Sequence, residues 1–393
     1  MASFKPFFTF LLCALLTLYT LASHGVSEYE NEVISSIEAI EKADINRSIN
    51  SISEIVKKYP NSKLGHLMLA DLLSVRAGSS ELVNRFSQNT KQLIGLRDEI
   101  RQRWEYLKHP TPPTTGMIPS SIIQTSQDQE YVLIVDASRA RLYVYRTTDK
   151  NYEYVDSYFM TLGKGGMDKR KEGDTKTPIG VYFVTGYIPG ETLPPRYGPG
   201  AFPISYPNEL DRIHQKTGYG IWIHGTEPEN YNRIPLASDG CVSLSNDEFL
   251  DIKQYIKTDG STPVIIARDF DWADPETIEE NRNQFSAIID KWKDDWESLD
   301  LDRYLSHYSN DLFDNGQHDY QSWAHHKTRV NSGKQFIKVN ISELSIFSYP
   351  AEKEIVAVKF KQEYESDTYS SVSLKKQYWS RASDGKWKII YES

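Results

Sequence analysis

The segment 110–119, PTPPTTGMIP, limits what this chain can fold into more than any other. Its prolines fix φ and remove backbone donors, so no helix can run through it. Hydrophobic spacing changes across it. Before it, Ile45, Ile49, Ile52, Ile55 and Val56, then Leu64, Leu67, Met68, Leu72 and Leu73, recur at three and four residues, the spacing of amphipathic helices. Tyr59-Pro60-Asn61-Ser62 between them supplies a stop and a new N-cap. After it, short β-rich runs separated by glycine and proline predict a mostly β unit: Tyr131–Val135, Arg141–Tyr145, Ser157–Thr161, Gly180–Thr185, Gly220–His224 and Val264–Arg268.

A length of 393 residues exceeds one ordinary core, and 39% apolar content is ample for globular folding. Residues 1–23, with Lys5 before an apolar run, read as a signal peptide, which predicts export to the periplasm or cell envelope. Its removal takes the net charge from −9 to −10 and takes Cys13 with it. No basic block remains, which argues against nucleic acid as a partner. One cysteine is left, so no intramolecular disulfide is possible, and an unpaired thiol in an exported protein points to catalysis.

That thiol, Cys241, lies in Ser238-Asp239-Gly240-Cys241, downstream of Ile221-Trp222-Ile223-His224-Gly225. An imidazole within reach of a thiol lowers its pKa and stores its proton for the leaving group. Gly240 permits a tight turn that would aim backbone amides at an oxyanion. Ser245-Asn246 caps a predicted helix running to Ile256, which places a helix N-terminus near the nucleophile. The segment 189–220, rich in tyrosine, glycine and proline, reads as a lid or binding wall, although Tyr197, Phe202, Tyr206 and Tyr219 individually suit a core role.

The pattern strand-His-Gly, loop, Ser-x-Gly-Cys-Val resembles the YkuD-type L,D-transpeptidases, bacterial enzymes that remodel peptidoglycan. Upstream, Tyr131–Asp136, Arg141–Tyr145 and Gly173-Asp174-x-Lys176-Thr177-Pro178-x-Gly180-x-Tyr182 resemble the family's opening strands and turn. The resemblance implies that Cys241 attacks the diamino acid of a tetrapeptide stem, with His224 as base and Gly240 and Ser238 shaping the site. Gly225, Asp239, Tyr197, Arg196 and Arg233 are the candidate substrate-binding residues. It implies no metal or organic cofactor. Two positions depart from the family: Asp239 stands where many members have histidine, and Ser243 where most have arginine. Arg196, Arg212 and Arg233 are the candidate replacement cations.

The resulting expectation is a multidomain α+β protein. It comprises a signal peptide (1–23), a tetratricopeptide-like helical segment (24–108), a Pro-rich linker (109–129), a YkuD-like catalytic sandwich (130–268) and a C-terminal α+β domain (269–393). The last shows a helical aromatic stripe, Phe285, Ile289, Trp292, Trp296 and Leu299, followed by alternating strands, and resembles the nuclear-transport-factor-two-like (SnoaL-like) cone fold. It is expected to position substrate or self-associate and to be separable from the chemistry. His318, His325 and His326 lack the companions of a metal site. The helical segment reads either as a docking surface for a wall-linked lipoprotein or another protein, or as a plain spacer. Three functions follow: an L,D-transpeptidase passing the stem to an amine, a hydrolase of the same family (L,D-carboxypeptidase or amidase), and a non-catalytic peptidoglycan-binding protein.

Overall fold

The computed structural model describes residues 28–78, 91–109, 116–149, 151–231, 233–350, 352 and 354–393. The proposed signal peptide lies outside them. Among the described residues no helix is long and apolar enough to cross a membrane.

Four described helices precede the proline segment: α1 (Glu28–Glu41), α2 (Ile45–Lys58), α3 (Lys63–Arg76) and α4 (Lys91–Lys108). Ser62 caps α3 by accepting from the Gly65 amide, as the Pro-Asn-Ser turn predicts. The apolar stripes close on one another through Val33, Ile52, Leu64, Met68 and Leu96, and this core also takes in Tyr231 and Ile234 of the central domain. Mid-helix glycine normally weakens a helix. Gly95 on α4 is explained by that approach, since a Cβ there would meet Ile234 at 2.5 Å.

A buried ionic cluster joins these helices to the central domain. Arg103 of α4 pairs with Glu30 of α1 and, at 2.9 Å, with Glu99, while Arg141 from a central strand reaches Glu30 at 3.0 Å. Both guanidiniums also lie over rings, Arg103 over Phe159 at 3.9 Å and Arg141 over Tyr106 at 4.0 Å. Burial holds the carboxyls of Glu99 and Glu248 above their usual range and pushes the Arg103 guanidinium down to about 9.

The central domain is a sandwich. One layer has the strand order Tyr152–Phe159, Arg141–Thr147, Tyr131–Asp136, Pro263–Ala267, Gly180–Phe183, with Pro263–Ala267 parallel to Tyr131–Asp136 and the remaining pairs antiparallel. The other has the order Val242–Ser243, Trp222–His224, Gly200–Pro203, Ile188–Pro189. The strand Tyr131–Asp136 is buried on both faces, which is why its sequence is a continuous apolar run. Leu133 and Val135 enter the sandwich core with Phe202, Ile223, Val242 and Phe249. Val132 and Ile134 face a second core shared with Phe347, Tyr349, Tyr378 and Ile390 of the C-terminal domain.

The C-terminal domain follows the expected order. The helix Pro275–Glu297 buries Phe285, Ile289, Trp292 and Trp296 against four long antiparallel strands, Ile337–Ser348, Ile355–Ser366, Ser370–Arg381 and Trp387–Glu392. Leu299 falls outside that stripe: the helix has ended, and Leu299 has φ of 62° and is exposed. Two further expectations are corrected. Part of the supposed linker is structured, because Ile118–Pro119 pairs with Trp272–Ala273 and Ile122–Gln124 adds a fifth strand beside Ile337–Ser348. The apolar residues Ile118, Ile122 and Ile123 are buried there. For the same reason, and because of the shared core, the C-terminal domain is not a detachable module. Among the described residues no cluster is suited to a metal, and His318 stacks on His326.

Arg103→Ala removes a buried ionic partner from both Glu99 and Glu30 and is expected to cost about 3 kcal/mol or more, read as a lowered denaturation midpoint. Truncation after Asp271 exposes the shared core, and the product is expected to lose its near-UV circular dichroism rather than fold as an independent enzyme.

Candidate active site

His224 ends the strand Trp222–His224, and Cys241 directly precedes the strand Val242–Ser243 that runs parallel beside it, with His224 opposite Ser243. Cys241 thus lies two positions before the residue opposite His224, a diagonal placement that puts thiol and imidazole on the same face of the pair, both buried, at 9% and 3% exposure. Main-chain pairing, and not the intervening loop, brings the two residues together.

Each is held separately. The Gly225 carbonyl lies 2.5 Å from His224 Nδ1. A carbonyl only accepts, so the proton sits on Nδ1 and Nε2 is left as the basic nitrogen. Ser243 Oγ donates to the same carbonyl at 3.0 Å. The residue standing where the family has arginine thus helps fix the tautomer of the base, a role its sequence position did not reveal. The Cys241 thiol donates to the Gly220 carbonyl at 3.4 Å, and no hydrogen bond joins it to His224 among the described residues.

Burial pushes the Cys241 thiol up to about 11, with the Asp239 carboxylate adding to the rise and Arg196 and Arg233 opposing it. Burial likewise pushes His224 down to about 4, against the favourable Gly225 hydrogen bond. The resting pair is neutral thiol and neutral imidazole, not the thiolate that sequence proximity suggests. The helix Asn246–Ile252 caps on Ser245 and begins five positions after Cys241, so Cys241 is not itself part of its first turn.

Gly240 has φ of 126°, and a Cβ there would lie 2.7 Å from the Lys176 carbonyl, so conformation and space both demand glycine. Its amide donates to Ser238 Oγ at 3.1 Å, and that hydroxyl donates to the Cys241 carbonyl at 2.6 Å. Ser238 therefore shapes the turn, and the Gly240 amide is not available to an oxyanion as expected. The Cys241 amide, for which no acceptor appears among the described residues, remains.

The segment 189–220 is more regular than its composition suggests. It contains the strand Gly200–Pro203, paired with Trp222–His224, and the helix Glu209–Ile213. Phe202 and Tyr206 are core, Tyr219 is exposed, and the Tyr197 ring packs edge-on against His224 at 4.9 Å. Arg196 stacks on Tyr197 and donates to its hydroxyl at 3.0 Å. Arg233 donates to the Ala237 carbonyl at 3.1 Å. Both cations act on Cys241 and His224, whereas Arg212, on the helix Glu209–Ile213, acts on Tyr391 instead. Asp239 is exposed and pairs with Lys164 at 2.7 Å. Gly225 is held tightly: a Cβ would lie 2.5 Å from Asn246 Oδ1, which accepts from the Thr226 amide at 2.8 Å. Sequence reading took Asn246 only as part of a helix cap.

Residues 130–266 match the L,D-transpeptidase catalytic domain model, YkuD, and residues 284–393 match the Cds6 C-terminal NTF2-like domain. The chain thus carries an L,D-transpeptidase-family catalytic domain followed by an NTF2-like domain. Among solved structures it is similar to Bd1075 of Bdellovibrio bacteriovorus, at 29% identity and a TM-score of 0.61, covering 70% of this chain and 98% of that one. It is also similar to the helical cell shape determining protein Pgp2 of Campylobacter jejuni, at 27% identity and a TM-score of 0.59, covering 70% of this chain and 95% of that one. No curated protein sequence matches it.

Because His224 is held near 4, the acid limb of Cys241 acylation by a carbapenem is expected near pH 4 and not near the ordinary histidine value of 6.5. The sign for stability is the same. Between these values the unfolded chain takes up a proton that folded His224 refuses, so this contribution is full above 6.5 and is lost as pH falls towards 4. A rate profile with its midpoint at the ordinary value would contradict the burial assignment.

Proposed function

We propose that the protein is a peptidoglycan L,D-transpeptidase acting in the cell envelope through a Cys241 thioester. The observation that carries this reading is the pairing of the two short strands that sets a buried thiol beside a buried, Nδ1-protonated imidazole. Substrate entry displaces the thiol from the Gly220 carbonyl. His224 Nε2 takes its proton, and Sγ attacks the carbonyl of the third stem residue. The oxyanion forms against the Cys241 amide. The bond to the terminal D-alanine breaks, His224 returns the proton to the departing amine, and a thioester remains. An acceptor amine then attacks the thioester and regenerates the thiol. Well-oriented groups reach effective molarities of roughly 10⁵ M or more, so a positioned amine outcompetes water. Tyr197 and the segment around it are the wall that would position it.

One observation favours a second reading, an L,D-carboxypeptidase in which water takes the acyl group. The charges felt at Cys241 include two guanidiniums, Arg196 and Arg233, while the nearby carboxylate Asp239 is paired with Lys164. Such a field welcomes the carboxylate of the departing D-alanine and disfavours delivery of a protonated acceptor amine. Similarity to the helical cell shape determining protein Pgp2 fits either form of wall remodelling.

Cys241→Ala is expected to abolish turnover with little change in stability, and wild-type rates in that variant would overturn the mechanism. Tetrapeptide muropeptide supplied with and without a D-amino acid or a second stem separates the two fates. Exchange or cross-linked product identifies the transferase. Tripeptide alone, whatever amine is offered, identifies the carboxypeptidase.

A further inference from the structure

Where the catalytic and C-terminal domains meet along their shared core, they leave a cleft of about 430 Å³. Clefts that hold small ligands run from roughly 300 to 1,000 Å³. Ile123, Val356 and Phe285 supply its buried apolar lining. Two further rings line it, Trp387, which meets Phe285 edge-on at 5.3 Å, and Phe270, three residues beyond the strand Pro263–Ala267. Both are only half-buried, so part of each ring is left for something else to cover. Neither Cys241 nor His224 lines the cleft, which is therefore a second site and not an extension of the first.

Its polar groups have one chemical character. Asn281 lies three and four residues before Gln284 and Phe285, so all three share a face of the helix Pro275–Glu297. Arg282 fixes that helix to the strand Ile122–Gln124 by donating to the Ile123 carbonyl at 3.3 Å. Ser121, 7% exposed, also lines the cleft, and its hydroxyl has no hydrogen-bond partner among the described residues. A buried hydroxyl without a partner is costly, and a ligand in the cleft would supply one. Among the described residues that line it none is Lys, Arg or His, and Asp269 and Asp271 stand exposed beside it. Phosphates and carboxylates are thus repelled, while the enclosed part offers rings, amides and a hydroxyl, all neutral.

A pyranose has an apolar face of C–H groups and a rim of hydroxyls, and an N-acetylated one adds an amide. We propose that the cleft is a glycan-binding site that takes an N-acetylhexosamine unit of the wall's polysaccharide strand. Trp387 and Phe270 receive the C–H face, the Asn281 and Gln284 amides exchange hydrogen bonds with the acetamido group, and Ser121 meets a ring hydroxyl. The choice of wall glycan among sugars rests on the peptidoglycan reading above, whereas the site itself is independent of Cys241. The protein then grips the strand at the junction of two domains and acts on the stem elsewhere.

The test is isothermal titration of the full-length protein with two neutral trisaccharides of the same linkage, tri-N-acetylchitotriose and cellotriose, which differ in the acetamido groups. Saturable binding of the chitotriose is expected, roughly fivefold tighter than that of cellotriose, the worth of one neutral hydrogen bond. Asn281→Ala and Gln284→Ala, at half-buried and exposed helix positions whose loss leaves the packing in place, are each expected to weaken chitotriose binding by a similar factor and to narrow its lead over cellotriose. No saturable chitotriose binding, equal affinity for the two sugars, or an affinity unmoved by both substitutions would overturn the site. Binding of trilysine in place of either sugar would overturn it too, by showing that Asp269 and Asp271 select a cation. Failure of the peptidoglycan reading is seen separately, as wild-type protein that binds the sugar but neither forms a Cys241 adduct with a carbapenem nor releases D-alanine from a tetrapeptide.

Discussion

Much of this architecture depends on the buried pairing of Arg103 and Arg141 with Glu30 and Glu99, and on Glu248 beside them. Two guanidiniums and three carboxylates removed from water are tolerable only when all are in place, because losing one partner leaves an uncompensated charge in low dielectric. The five residues come from α1, α4, a central strand and the helix after the nucleophile. A cluster so distributed cannot form within either unit alone. It gives the helices and the catalytic sandwich a single register, and Glu248 also closes the capping box on Ser245 that ends the nucleophile segment.

Seen from this cluster, the N-terminal helices are not a freely presented scaffold. Part of their apolar stripes is buried by one another and by Tyr231 and Ile234 of the loop between His224 and Cys241, while Ile45 and Leu73 stay exposed. That loop is thereby packed against the helices. The C-terminal domain does the equivalent work on the opposite face of the strand Tyr131–Asp136, whose alternate residues enter two different cores.

What was legible in the sequence follows from local chemistry. The helical spacing before 108, the cap at Ser62, the aromatic stripe from Phe285 and the glycine turn before Cys241 are set by neighbouring residues, and each is found where it was read. What was not legible depends on contacts distant in sequence. Nothing near Ile122 announces that it will pair with a strand more than two hundred residues later. Ser243 read as a loss because its family counterpart is charged, yet its hydroxyl and His224 share one carbonyl. The thiol's resting protonation was misjudged for a related reason. Proximity to histidine is visible in a sequence, whereas desolvation of both groups is a property of the packed interior.

The short strand Ile122–Gln124 has a consequence for how the molecule is made. It is synthesised before the whole catalytic domain, but its hydrogen-bonding partner, Ile337–Ser348, comes from near the end of the chain. Throughout that interval the strand has an open edge, and Val132 and Ile134 have no apolar cover from Phe347 or Tyr378. Unpaired edges and exposed apolar faces are what chaperones recognise and what aggregates share. A nascent chain halted inside the C-terminal domain would already carry Cys241 and His224, but on a surface built to stick, so completion of synthesis, and not possession of the candidate site, marks the point at which the fold closes.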